Sequence, residues 1–326
     1  MKLLTIVGKR LAYALVLILA VVVLNFLLVH MAPGDPAEVI AGEMGGATEQ
    51  MMADIRHAYG LDKPLYEQLF IYLGRVAQGD LGHSFYYNAP VSELILGRLG
   101  PTLLLVLTAL AFSVVVGTFL GVVASRKPTG IFSNFITVLS LVGYSAPVFW
   151  TGIVLIIVFA SVFPIFPISN MTNVALEGGP LVHVLDVAHH LVLPAFTLGV
   201  IYLAQYSRLA RASMMEVLGA DYIRTARAKG LSERVVVGKH ALRNAVLPII
   251  TIAGLQFGGL ISGAVLVETV FNWPGLGTLA LDAILSRDYP TILGILFFSA
   301  MLVIVANILT DICYRLADPR IKTGAR

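Results

Sequence analysis

The chain has 326 residues, 58% of them hydrophobic and only 13% charged. A soluble globular domain is nearer a quarter charged, so this balance excludes an ordinary water-soluble fold and points into a bilayer. The net charge of +3 decides nothing alone, because placement matters more than sum in a membrane protein. The one cysteine, Cys313, excludes an intrachain disulfide framework and a thiolate metal cluster.

A membrane span needs about 20 mostly apolar residues at 1.5 Å of rise each. Six segments meet that requirement: Leu11–Val29, Thr102–Ala124, Phe132–Ala160, Leu191–Ala212, Ala245–Val267 and Thr291–Cys313. Lys2, Lys9 and Arg10 ahead of the first would suit a signal peptide. Its apolar core is too long for that, and HMAPGD behind it lacks a small-x-small cleavage pattern, so a retained anchor is expected. With six spans, 17 of the 22 Lys and Arg fall on one side of the membrane. The positive-inside rule then places both termini in the cytoplasm and residues 33–100 outside.

Within that excursion, PGDP at 33–36 and YGLDKP at 59–64 are turn chemistry. The stretches ATEQMMADIRHAYG at 47–60 and PLYEQLFIYLGRVAQG at 64–79 carry apolar residues at helical spacing, so a small, mostly helical cap is expected. In the third span, GYSAP at 143–147 superficially offers a serine nucleophile. A hydrolase needs a base beside it, and the spans hold no histidine except His30 at an edge. Gly143 and Pro147 are instead expected to bend this helix, with Tyr144 beside a water-filled path.

His183, His189 and His190 cluster before the fourth span, where three imidazoles suit a divalent ion and equally suit a membrane interface. Gly254, Gly258, Gly259 and Gly263 stripe the fifth span at small-xxx-small spacing. They predict tight helix packing, with a partner subunit as the natural neighbour. Glu268 and Asp282 flank the outer FNWPGLG turn, where ionisable groups mark a pathway or an ion pair. Asp311 and Arg315 are spaced for an i,i+4 pair.

Residues 213–243 carry too many basic charges to lie in lipid. The sequence DYIRTARAKGLSERVVVGKHALRNAVLP at 221–248 predicts a short helix over 221–229, with Asp221 at its start and a left-handed Gly230 at its end. Ser232 is expected to cap a second helix leading into the fifth span. Ile223, Ala226 and Gly230 share one face of the first helix; Arg224, Arg227 and Leu231 share its neighbour. A purely electrostatic reading pairs these basics with anionic lipid head groups. Small residues alternating with basics, ended by glycine, fit better a shaped knob for another protein's groove.

This stretch resembles the cytoplasmic EAA loop of ABC importer permeases, in the version of the dipeptide, oligopeptide and nickel permease family. PGDP at 33–36, YGLDKPLYEQ at 59–68, GDLGHSF at 79–85, GYSAPVFWTG at 143–152, ETVFNWPGLG at 268–277, RDYP at 287–290 and DPR at 318–320 match the same family. Arg224, Thr225 and Ala226 stand where the broader consensus has Glu-Ala-Ala. The resemblance implies an all-α integral membrane protein with six transmembrane helices and the type I ABC importer permease fold. It implies helix 1 at 1–32, a periplasmic helical insertion at 33–100, a permease core at 101–313 holding the coupling loop 213–243, and a cytoplasmic tail at 314–326.

Such a B-type subunit would form half of an inner-membrane pathway for di- or oligopeptides, without catalytic residues. Its implied partners are a homologous second permease, two ATPase subunits, a periplasmic substrate-binding protein and the lipid bilayer, with no nucleic acid. No G-x-x-x-x-G-K-[ST] phosphate loop occurs, so ATP and Mg are expected on the ATPase partners, and this chain is expected to hold no cofactor or metal. The resemblance assigns ATPase coupling to Asp221, Tyr222, Arg224, Thr225, Ala226, Arg227, Ala228, Lys229 and Gly230. Gly143, Tyr144, Pro147, Gly254, Gly258 and Glu268 are the expected packing and pathway positions. A nickel or metal-chelate importer is the alternative within this class. A stand-alone channel or proton-coupled carrier is the alternative outside it, and it would call for buried Asp, Glu or His in several spans.

Overall fold

The computed structural model describes residues 2–31, 48, 50, 52–53, 56–57, 62–84 and 86–317. Helices dominate: α1 (Lys2–Met31), α2 (Leu65–Ala77), α3 (Val91–Ser125), α4 (Ile131–Ser145), α5 (Val148–Ile156) and α6 (Pro180–Leu218) come first. Then follow α7 (Asp221–Ala228), α8 (Glu233–Val235), α9 (Leu242–Ala245), α10 (Leu247–Val270), α11 (Leu276–Ser286) and α12 (Tyr289–Ala317). Among the described residues, four helices are long and apolar enough to cross a membrane, those at 91–126, 180–218, 247–270 and 289–310. Shorter apolar helical stretches occupy Ala12–Leu28 and Val148–Val162.

Each expected span lies on a helix. The third is broken, as GYSAP predicted: α4 ends at Ser145, and Pro147 at ψ 136° starts α5. Proline cannot donate to the helical ladder and biases the preceding residue toward extended backbone. A single π turn, Ile157–Val162, ends this span. Helix α6 runs 39 residues, about 58 Å, roughly twice the hydrocarbon thickness, so the predicted span Leu191–Ala212 is only its middle.

The chain divides into two compact units, Met1–Gly100 with Thr278–Val305, and Pro101–Gly277 with Ala306–Arg326. In the first, Asn25 of α1 donates to the Leu293 carbonyl of α12 at 3.2 Å. His30 at the end of α1 meets the Gln68 side chain of α2 at 2.9 Å. The excursion is not helical throughout: strands β1 (His83–Ser84) and β2 (Ala89–Pro90) pair antiparallel. Of the expected turn and helix at 33–36 and 47–60, the first and most of the second lie outside the described residues, as do the tail motif DPR and the side chains of Asp311 and Arg315.

Two motifs distant in sequence meet in this unit. Ser84 Oγ and Thr291 Oγ1 each donate to Asp288 Oδ2 at 2.6 Å, and all three residues are buried. Asp288 also accepts the Thr291 N–H at 3.3 Å, a side-chain cap on the first turn of α12. It follows α11, an apolar helix that the sequence reading left unassigned beyond the FNWPGLG turn. Arg287 closes α11 in the left-handed region (φ 60°), with Arg287 N–H bonded to Ile284 and Asp288 N–H to Ala283.

In the second unit, α3 and α6 cross closely. A Cβ at Gly117 would lie 2.9 Å from the Leu203 carbonyl, and one at Gly121 would lie 2.5 Å from that of Ser207. Ser113 Oγ donates to the Gly199 carbonyl at 2.8 Å across the same seam. The small-xxx-small pair GTFLG in the second span, which the sequence reading passed over, therefore brings α3 directly against the backbone of α6. Two glycines of the α10 stripe, Gly254 and Gly263, pack within the chain. Gly254 leaves room only for Thr310 of α12, and a Cβ on Gly263 would meet Leu198 Cδ1 at 3.4 Å. A partner subunit is not needed to explain those two positions.

Candidate coupling loop and pathway residues

The loop after α6 builds a small, one-sided platform. On α7, Ile223 and Ala226 are buried against Met214 of α6, Val236 and Ala241 of the π turn Val236–Ala241, and Ala245 of α9. Val122 of α3 packs on the same cluster. Asp221, Tyr222, Arg224, Thr225, Arg227, Ala228, Lys229 and Gly230 are exposed. Of the nine residues assigned to coupling, Ala226 alone faces inward and serves as an anchor.

Gly230 ends the helix as predicted. At φ 75° its N–H bonds the Arg227 carbonyl at 2.9 Å, and the next N–H, of Leu231, reaches Ala226 at 3.4 Å. That bond pair is the Schellman arrangement, which satisfies helix-end carbonyls and turns the chain sharply. The predicted caps differ. Ala220 holds the N-cap position, Asp221 is the first helical residue, and neither Ala220 nor Ser232 makes a side-chain cap bond. The carboxylate of Asp221 still sits where the helix dipole favours negative charge.

Two contacts set the platform's angle. Asn244 Nδ2 donates to the Tyr222 hydroxyl at 2.8 Å, tying α7 to α9. Arg227 Nε donates to Glu233 Oε1 at 2.8 Å across the turn. The guanidinium's hydrogen bond holds the Glu233 carboxyl below its ordinary range, and the same bond raises Arg227. Both side chains are about half exposed, so water and salt screen the pair. Beneath it a cleft of about 590 Å³ is lined by Arg126, Lys127, Ser133, Leu218, Arg227 and Glu233. Arg211, read in sequence as part of the charge signal, also binds the Pro128 carbonyl at 2.7 Å and the Thr137 hydroxyl at 3.0 Å.

At the opposite end of α10, Glu268 is fully buried. Its Oε1 accepts from Thr102 Oγ1 and its Oε2 from the Gly277 N–H, both at 2.6 Å. Thr102 Oγ1 in turn accepts the Leu276 N–H at 2.7 Å. Trp273 is buried over this network, donating Nε1–H to the Pro101 carbonyl at 2.9 Å. Gly275 is packed against the Glu268 carboxylate, leaving no space for a side chain. Glu268 thus ties the NWPGLG turn to α3 at Thr102, next to Pro101, in a structural role that stands beside the pathway or ion-pair role expected of it. Asp282 is exposed on α11.

Gly143 lies beside α6, where a Cβ would meet Val200 at 3.6 Å. Gly258 is half-buried on α10 and accepts from Ser262 Oγ at 3.4 Å. The Tyr144 side chain lies outside the described residues. His189 Nε2 is 2.8 Å from the Ile165 carbonyl, and His190 Nδ1 is 3.3 Å from Asp186 Oδ1. Among the described residues no three His, Cys, Asp or Glu side chains converge as metal ligands.

Long apolar helices, a broken third span and a glycine-terminated loop helix make this a helical membrane protein. The family model for "Binding-protein-dependent transport system inner membrane component" matches residues 113–323, and that for the N-terminal part of such components matches residues 3–106. The chain belongs to this family of multi-pass inner-membrane permeases. Similar proteins include the di/tripeptide transport system permease DppB of Pseudomonas aeruginosa, 42% identical over 98% of this chain and 99% of that protein. The dipeptide transport system permease DppB of Escherichia coli K12 is 40% identical over 96% and 97%. The oligopeptide transport system permease AppB of Bacillus subtilis is 39% identical over 96% and 98%. A chain of the MetNI methionine ABC transporter, solved in inward facing conformations, shares the fold. Its TM-score is 0.54 at 17% identity, covering 69% of this chain and 96% of that one.

Proposed function

We propose that the chain forms half of the membrane pathway of an ATP-driven, binding-protein-dependent peptide importer. The carrying observation is α7, a helix with one face anchored on its own bundle and the other left exposed by a Schellman turn. Its exposed side chains, Asp221, Tyr222, Arg224, Thr225, Arg227, Ala228 and Lys229, receive an ATPase subunit. Two such subunits bind ATP and Mg, because this chain has no phosphate loop, and it performs no catalysis itself. A homologous permease completes the pathway, and a substrate-binding protein delivers peptide to the 33–100 side. Closure of the ATPase dimer moves the platform and shifts the bundle between inward- and outward-open populations. Peptide as cargo is supported by the names of relatives matched along nearly the whole chain.

The test reconstitutes the five-protein system in vesicles. ATP-dependent uptake of radiolabelled alanyl-alanine is expected only when the binding protein is present. Uptake of nickel but no peptide would overturn the cargo assignment. For orientation, a cysteine at Gln78 in a Cys313→Ala background is labelled from outside intact cells and one at Thr323 is not. The reverse pattern inverts the topology.

A further inference from the structure

The polar side chains of α10 divide sharply. Thr251, Ser262 and Thr269 each bond a carbonyl four residues back on their own helix, at 3.1, 3.4 and 2.8 Å, which is how hydroxyls remain satisfied in lipid. Glu268 is consumed by the turn network. Gln256 does neither. Its Nε2 donates to Gln205 Oε1 of α6 at 2.5 Å, while its own Oε1 is buried without a hydrogen-bond partner.

Gln256 is the tenth residue of α10, about 14 Å along the helix and so near the middle of a hydrocarbon core of about 30 Å. The seam around it is regular and antiparallel. A Cβ at Gly263 would meet Leu198 at 3.4 Å, and one at Gly259 would meet the Tyr202 hydroxyl at 3.5 Å; Gln256 meets Gln205 one turn further. Tyr202, Gln205 and Gln256 are half-buried, so this rung lies at the edge of the packed seam rather than inside it. Leucine would fill the same space without desolvating an amide. A glutamine pair there, one acceptor unmet, is retained against a free-energy cost that packing does not explain.

We propose that the Gln205–Gln256 rung, with the Tyr202 hydroxyl beside it, is a mid-membrane binding site for the backbone amide of the transported peptide. A carboxamide carries the same donor and acceptor as a peptide unit. A peptide amide therefore replaces either glutamine in the rung bond and meets the free Oε1 with its N–H. One amide bond is exchanged for another, so the cargo is held without being trapped. Being uncharged, the rung reads backbone rather than side chain, which suits cargo of varied sequence. This inference rests on the peptide reading above and adds the residues that touch the cargo.

The test uses the reconstituted importer with loaded binding protein at saturation. It compares alanyl-alanine with its ester analogue, in which oxygen replaces the peptide N–H. The wild type is expected to carry the amide about fivefold faster, the size of one hydrogen bond. Gln256→Leu lowers that ratio to about one, while Thr251→Ala on the same helix keeps it. An unchanged ratio in Gln256→Leu overturns the rung. If Gln256→Leu does not assemble, Gln256→Cys with Cys313→Ala decides the matter. A water-soluble thiol reagent labels it during turnover, and saturating alanyl-alanine protects it; labelling without protection, or none, overturns the site. Failure of the wild type to move any peptide overturns the cargo assignment itself, whereas peptide uptake with an unchanged ratio overturns the rung alone.

Discussion

The two ends of the second unit treat polar residues in opposite ways. The 268–277 turn buries its carboxylate and surrounds it with donors, whereas the 221–230 helix buries two apolar side chains and leaves its charges in water. In the first region the polar groups hold the fold, and the aromatic side chains seal them from solvent. In the second, Ile223 and Ala226 hold the fold and the polar groups are free for another surface. Charge density alone does not separate structure from function here; burial does. A charged group that already has its partners has little left for a ligand, and an exposed one contributes little to folding.

The largest expected effect falls on the buried end. Glu268→Ala leaves the Thr102 hydroxyl and Gly277 N–H without their acceptor, a loss of about 3 kcal/mol or more. Membrane abundance and thermal stability in detergent should both fall steeply. Normal abundance and stability would remove the clamp from the comparison.

Gly230→Val comes next. A Cβ there would touch nothing within 4 Å, so its penalty is purely the left-handed backbone, about 1–2 kcal/mol and greater for a β-branched residue. Coupled uptake and substrate-stimulated ATP hydrolysis should drop with the chain still present in the membrane. Arg224→Ala is weaker. Its contact with Asp221 spans 3.5 Å between side chains 75% and 97% exposed, worth under about 0.5 kcal/mol, and stability should not change measurably. If Arg224→Ala abolishes uptake while Gly230→Val transports normally, the platform works by charge and not by shape.

The smallest effect is one of pH. The folded Glu233 carboxyl lies below its ordinary value of 4.5, so its link to Arg227 is fully present above that value and is lost as pH falls through the lowered one. A spin label at Ala228 in a Cys313→Ala background should show constant mobility from about pH 5 to 8 and rise only in stronger acid. Rising mobility near neutral pH would show that another contact sets the platform's angle.

What was legible in sequence follows from local physics. Span positions come from long apolar runs. The break before Pro147 comes from a missing N–H, and the end of α7 at Gly230 from a conformation that only glycine adopts cheaply. What was not legible depends on partners far along the chain. NWPGLG reads as a turn, yet the helix after it, α11, and the burial of Glu268 depend on Thr102, more than 160 residues away. GDLGHSF and RDYP read as separate motifs until Ser84 and Asp288 share a hydrogen bond.

The glycines show the same limit. Four on α10 drew attention by number, but it is Gly117 and Gly121 of α3 that meet the backbone of another long helix, because depth of contact depends on where another helix crosses. Ala226 was grouped with the coupling surface by its place in the motif, and a side chain's direction emerged only when α7 docked. Composition and period by themselves determined a helical membrane protein with a basic loop between its fourth and fifth spans, and the likeness of its motifs added the permease family. Only the tertiary structure decided which polar groups are enclosed and which are offered, because solvation of a side chain is set by its neighbours in space and not by those in sequence.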